Sequence, residues 1–147
     1  MRNRTQAREF ALKILYQAEI TRREISVSAE NYWKDHDENV AEAVLGFSDR
    51  LTAGIEKHLA AIDEKISKYA ANWQIKRMAV IDKNILRIGV FEMLFSPDIP
   101  PKVCINEAVE LAKKYGDLDS SKFVNGILDK IHKVEIFPKN NNDESVG

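Results

Sequence analysis

The chain has 147 residues, with 22 Lys+Arg against 23 Asp+Glu, so its formal charge of −1 argues against a uniformly basic nucleic-acid binder. Its 6 glycines and 4 prolines favour helix over strand, and its single cysteine excludes an internal disulfide and suits a reducing cytosol. No apolar run approaches the ~20 residues of a membrane span, and the opening MRNRTQAREF lacks the apolar segment of a secretory signal.

Charge is unevenly spread. Residues 1–23 hold Arg2, Arg4, Arg8, Lys13, Arg22 and Arg23 against Glu9 and Glu19, a local +4 against −5 for the remainder. A basic arm on a slightly acidic body suits local contact with phosphate, although terminal arginines also serve plain solubility. The first helix is predicted from about Arg4 to Ile20, where Ala7, Phe10, Ala11, Ile14, Leu15 and Ala18 line one face. Arg4, Arg8, Leu12 and Tyr16 follow a second row four residues apart, placing two guanidiniums and a phenol on one edge. A short amphipathic helix is expected over Ser26 to Lys34 and is broken at Asp35-His36-Asp37.

A longer helix follows from about Val40 to Lys57, and another from His58 to Ala71, without a proline or turn glycine between them. Asn72 to Lys76 reads as a connector. The fifth helix starts near Met78 and ends before Ser96-Pro97-Asp98. Ile81, Ile85, Ile88, Phe91 and Phe95 form its stripe, and Val80, Leu86, Val90 and Leu94 widen it, so it should be the central, most buried helix. Arg87 in that apolar surround is expected to snorkel or to meet a helix-end carbonyl.

The last two helices are the most informative. Pro100 and Pro101 open the sixth, Gly116 closes it, and Ile105, Ala108, Val109 and Ala112 mark its buried face. Val124, Ile127, Leu128 and Ile131 mark the seventh, with Asp119, Ser120 and Ser121 as candidate N-caps. Asn125-Gly126 sits inside that helix, where glycine is unfavourable by about 1 kcal/mol relative to alanine. Close helix packing is the favoured explanation, and approach of a ligand backbone is the other. Phe123, at the stripe's edge, is either core or an exposed platform for a base. No strand alternation and no internal repeat occur. The expected fold class is all-α, about seven helices with short loops.

Catalytic and metal chemistry are not evident. No glycine-rich phosphate loop follows a strand, and His36, His58, His132 and Cys104 lack metal-ligand spacing. Cys104 reads as a small buried thiol. No cofactor, metal or enzymatic activity is expected.

Three blocks nevertheless resemble one family. RTQAREFALKILYQ, IDKNILRIGVFEM and DIPPKVCINEAVELAKKYGDLDSSKFVNGILDK together are similar to the NusB family of bacterial transcription antitermination proteins, over about Arg4 to Lys133. The resemblance implies a single domain over residues 1–138 made of two helical bundles, about 4–71 and 78–135; the aperiodic, polar end of the sequence reads as a disordered tail at 139–147. It implies a cytoplasmic, non-catalytic factor that pairs with NusE, a small-subunit ribosomal protein. The pair binds boxA RNA and joins other Nus factors on RNA polymerase. By position, Arg2, Arg4 and Arg8 would face RNA, as would Asp119, Ser121, Lys122 and Phe123. Tyr16 and Asp82 would face NusE, with Glu92 and Glu107 nearby. Thr5 and Gln6 interrupt a run that is more basic in many relatives.

Two further expectations compete. Related domains precede rRNA cytosine methyltransferases, but that activity needs an α/β domain where this sequence has only a short polar stretch after Lys133. Some relatives form homodimers that cover the RNA surface, which makes self-association the other alternative.

Overall fold

The computed structural model describes residues 2–36, 38–70 and 74–136. Among these, helices fill nearly all the chain and no strand occurs. The tail expected at 139–147 lies outside them, as do part of the break at Asp37 and the start of the connector at Asn72. The chain divides into two compact units, Met1–Leu59 and Ala60–Gly147. The fourth helix therefore groups with the later helices, whereas the sequence reading draws its boundary at Ala71.

The first unit holds α1 (Arg2–Thr21), α2 (Ile25–Lys34) and α3 (Glu42–Lys57). The α1 stripe is buried as expected, with Ala7, Ala11 and Ile14 fully enclosed. Thr21 Oγ1 donates to the Gln17 carbonyl at 2.7 Å, and Arg22 turns the chain with φ 56°. That left-handed conformation lets the Arg23 N–H reach the Ala18 carbonyl at 3.0 Å and satisfies an end carbonyl of the helix. The α2 N-terminus is capped from a distance: the Ser26 N–H donates to Glu56 Oε2 of α3 at 2.9 Å. Phe10 meets Trp33 at 5.0 Å between ring centroids and fastens α2 to α1.

The second unit holds α4 (Leu59–Tyr69), α5 (Val80–Phe95), α6 (Pro101–Tyr115) and α7 (Ser120–Ile131). A 3₁₀ turn over Ile75–Arg77 precedes α5, and a π-helical turn over His132–Ile136 continues α7. As expected, α5 is heavily buried, with Ile85, Leu86 and Val90 fully enclosed. It packs on both α6 and α7. Cys104 is buried, its sulfur 3.8 Å from the Ile99 carbonyl.

The close approach of these helices depends on Gly89, not Gly126. A Cβ on Gly89 would lie 2.7 Å from Leu128 Cδ1 and 3.5 Å from Ala108 Cβ. A Cβ on Gly126 would meet nothing within 4 Å. The expectation that Gly126 serves helix packing is therefore corrected: α7 turns that residue to open space. Arg87 is corrected too. Its Nε and Nη2 both donate to the Asp63 carboxylate of α4, each at 2.8 Å, and Nη1 donates to Asn84 Oδ1 at 3.0 Å.

Glu135 ties the π-helical turn back to α4. It accepts hydrogen bonds from Tyr69 and, at 2.9 Å, from Lys65 Nζ, while Lys68 Nζ lies 3.6 Å away. The Tyr69 and Lys65 hydrogen bonds hold its carboxyl down at about 2, and the same bond raises the Tyr69 phenol above its usual value. A carboxylate depressed in the folded state contributes stability above its unfolded value, and loses that contribution as pH falls toward 2. Glu135→Gln should therefore reduce unfolding free energy by about 1–2 kcal/mol at pH 7. Urea titrations at a series of pH values should show the two proteins converging between pH 5 and 2. A gap that persists undiminished at pH 2 would exclude this ionic origin.

Candidate nucleic-acid and protein interfaces

The basic edge of α1 is built around one ring. Phe47 of α3 is largely buried, and three guanidiniums gather at it: Arg4 at 4.7 Å from the centroid, Arg8 at 5.4 Å and Arg50 at 5.4 Å. Each such contact is worth about 0.5–1 kcal/mol at an exposed site, and together they hold three like charges in one place. Arg2 and Arg50 are exposed and Arg4 is half-buried, whereas Arg8 is only 1% exposed. Burial removes Arg8 from the expected set of direct phosphate contacts. Its place beside Phe47 gives it a positioning role. Sequence reasoning missed Arg50, because its link to Arg4 passes through a ring on another helix. Tyr16, farther along α1, is 41% exposed and available to a partner.

In the second unit the functional geometry centres on the α6–α7 corner. Asp119 occupies the N-cap position of α7 but makes no side-chain cap, contrary to expectation. Ser120 instead reaches backward: its Oγ accepts the Asp117 N–H at 2.9 Å and donates to Asp117 Oδ1 at 3.1 Å. Asp117 Oδ1 also accepts the Asp119 N–H at 3.1 Å. This reciprocal pair fixes a tight corner. Gly116 permits it, since a Cβ there would lie 2.4 Å from both Ser120 Cβ and Oγ and 2.8 Å from the Ala112 carbonyl oxygen. The Gly116 φ of −88° is open to any residue, so the requirement is steric.

A cavity of about 240 Å³ adjoins the corner, lined by Met78, Ala79, Asp82, Asp117, Asp119 and Phe123. It brings Asp82, expected on the partner surface, together with Asp119 and Phe123, expected on the RNA surface. Asp82 Oδ1 is buried there with no hydrogen-bond partner among the described residues. Ser121 is half-buried, and Lys122 and Asp119 are exposed. Phe123 is half-buried and lines this cavity, not the core. Glu107 is half-buried on α6. Glu92 is fully buried in α5, so no partner surface reaches it and its expected partner role is corrected.

These features define an all-helical contact protein with a guanidinium cluster in one unit and a carboxylate-lined aromatic cavity in the other. Among the described residues no group of His, Cys, Asp or Glu is arranged to hold a metal ion, and no helix is long and apolar enough to cross a membrane. The chain matches the NusB family model over residues 5–133. It is 45% identical over 128 residues to the transcription antitermination protein NusB of Anaeromyxobacter dehalogenans, covering 87% of this chain and 89% of that one. Against the NusB of Syntrophus aciditrophicus the identity is 46% over 144 residues, covering 98% and 88%. The fold superposes on T. maritima NusB with a TM-score of 0.83 at 36% identity, covering 95% and 96%. It also superposes on a chain from a crystal structure of the antitermination factors NusB and NusE with dsRNA, at TM-score 0.80, 29% identity, and 90% and 98% coverage. The chain belongs to the NusB family.

Proposed function

We propose that this protein is a non-catalytic transcription antitermination factor that pairs with NusE and binds boxA RNA. The observation that carries this reading is the gathering of Arg4, Arg8 and Arg50 on Phe47. Guanidiniums held at one edge neutralise phosphate without further ordering, and their binding should weaken with salt. Arg2, Arg4 and Arg50 supply phosphate contacts, with Asp119, Ser121, Lys122 and Phe123 as a second RNA-facing group. Tyr16, Asp82 and Glu107 face the basic ribosomal-protein partner. The RNA-bound pair would join other Nus factors on RNA polymerase, and a homodimer would cover the same surface when RNA is absent. The curated relatives matched over most of their length are antitermination proteins, which disfavours the methyltransferase alternative.

The test is fluorescence anisotropy of a boxA-like RNA beside a scrambled RNA, with and without equimolar NusE. Specific binding that tightens with NusE is expected. Arg4→Ala and Arg50→Ala should each lower affinity several-fold on both RNAs and reduce the slope of log K against log salt by about 1. An unchanged slope in both variants would remove the Phe47 cluster from the RNA surface.

A further inference from the structure

The proposed RNA contacts leave three basic residues of the N-terminal charge excess unused: Lys13, Arg22 and Arg23. Gln17 follows Arg8 by about two and a half turns of α1, so it lies on the opposite side of that helix. There the first unit holds a cavity of about 470 Å³, within the roughly 300–1,000 Å³ of small-ligand sites. α1 contributes Gln17, the turn after it Arg23, and the C-terminal end of α2 Asn31, Tyr32, Asp35 and His36. The turn is fixed, since left-handed Arg22 lets the Arg23 N–H donate to the Ala18 carbonyl at 3.0 Å.

Two features set the ligand chemistry. The first is an aromatic wall. Tyr32 and His36 stack at 5.6 Å between centroids with 22° between planes, and Phe10 and Trp33 brace the imidazole edge-on at 5.4 and 5.6 Å. His36 Nε2 is buried with no hydrogen-bond partner among the described residues, so ring contacts hold it in place. The second is a set of unengaged polar groups. Among the described residues the side chains of Gln17, Arg23, Asn31 and Asp35 make no hydrogen bond or ion pair. Arg23 and Asp35 thus line one cavity without meeting, which leaves a cation and a hydrogen-bond acceptor for a ligand.

Charge and shape select a nucleotide with one phosphate. One guanidinium suits one phosphate, and a di- or triphosphate would bring more charge than Arg23 matches. A base stacks on Tyr32, and the Gln17 and Asn31 carboxamides each offer donors and an acceptor to its edge. The Asp35 carboxylate accepts from a ribose hydroxyl. A second cavity, of about 480 Å³, shares Tyr32, Asp35 and His36 but adds Glu9 and Glu38 against Lys13 alone, and so refuses an anion.

We propose that the α1–α2 cavity is a second nucleotide site. It takes one nucleoside monophosphate unit, free or within a single strand of RNA, with the phosphate on Arg23, the base on Tyr32 and the ribose on Asp35. The site is independent of NusE and of the guanidinium cluster at Phe47.

NMR titration of the full chain with AMP, and separately with inorganic phosphate, reads the site through the ring protons of Tyr32 and His36. AMP should shift those protons saturably, and phosphate alone should leave them unmoved. Arg23→Ala should weaken AMP binding about tenfold and Asp35→Ala about fivefold. Both side chains are exposed, so neither variant disturbs the fold. Anisotropy then separates the two sources, comparing a boxA-like RNA with the same RNA carrying a single-stranded extension of about ten nucleotides. Tighter binding of the extended RNA that Arg23→Ala abolishes assigns the unit to a strand. AMP binding without that gain assigns it to a free nucleotide, and the AMP titration stands even where boxA-like RNA fails to bind. The site is overturned if neither occurs, if phosphate alone reproduces the AMP shifts, or if both variants keep full AMP affinity.

Discussion

Gly116→Ala should destabilise the protein by about 2–4 kcal/mol, while the same change at Gly126 should stabilise it by about 0.5–1 kcal/mol. The first effect is steric. The new methyl group would meet Ser120 Cβ and Oγ at 2.4 Å and the Ala112 carbonyl at 2.8 Å, and neither a Cβ nor a helix carbonyl can rotate away. Ser120 must shift, which breaks the bonds it makes with the Asp117 N–H and carboxylate. Overpacking accounts for about 1–3 kcal/mol of the loss and the broken hydrogen bonds for about 1 more. For a chain of this size the midpoint of thermal unfolding should drop by roughly 5–15 °C. Gly126 has no such neighbour, so alanine there gains helix propensity without a clash. Urea unfolding of the two variants side by side reads both signs. Destabilisation at Gly126 would mean that α7 is packed there after all.

Local patterns were legible in the sequence because they recur within a few residues. The apolar stripes of α1, α5, α6 and α7 follow a 3.6-residue period, and the ends expected for α1, α5 and α6 fall within two residues of the observed ones. Pro101 at the first turn of α6 and the stop at Gly116 depend on backbone chemistry that a sequence displays directly. What could not be read is which distant side chains meet. Arg87 and Asp63 are 24 residues apart, and Glu135 reaches Tyr69 across 66. The helical glycines Gly89 and Gly126 look alike in sequence. Gly89 and Gly126 were separable only once Leu128 and Ala108 had positions. The site was partly legible for the same reason. Arg4 lay on a visible row, but Arg50 joins it through Phe47, and the union of Asp82 with Phe123 exists only in the folded unit. Burial, which removes Arg8 and Glu92 from contact surfaces, has no local signature in a polar residue.

Arg87→Ala should destabilise the protein by about 2–4 kcal/mol, the other large effect expected. The guanidinium is a fork on the Asp63 carboxylate, with Nε to Oδ1 and Nη2 to Oδ2 both at 2.8 Å, and the two side chains are only 13% and 27% exposed. Asn84, fully buried, accepts from Arg87 Nη1 while donating to the Val80 carbonyl at 2.8 Å. Truncating Arg87 therefore leaves a part-buried carboxylate without its fork and takes a donor from Asn84. Arg87→Lys keeps the charge and loses the bidentate geometry, so about 1–2 kcal/mol should be lost. The discriminating variant is the double substitution Arg87→Met with Asp63→Leu. Removing both charges removes both desolvation penalties, and the pair should recover most of the stability that either single change loses. Denaturant unfolding of the singles and the double gives the coupling energy, expected at about 2 kcal/mol. Additive losses would show that the fork is incidental and that Arg87 acts through packing alone. Strong coupling would make it the main polar tie between α4 and α5.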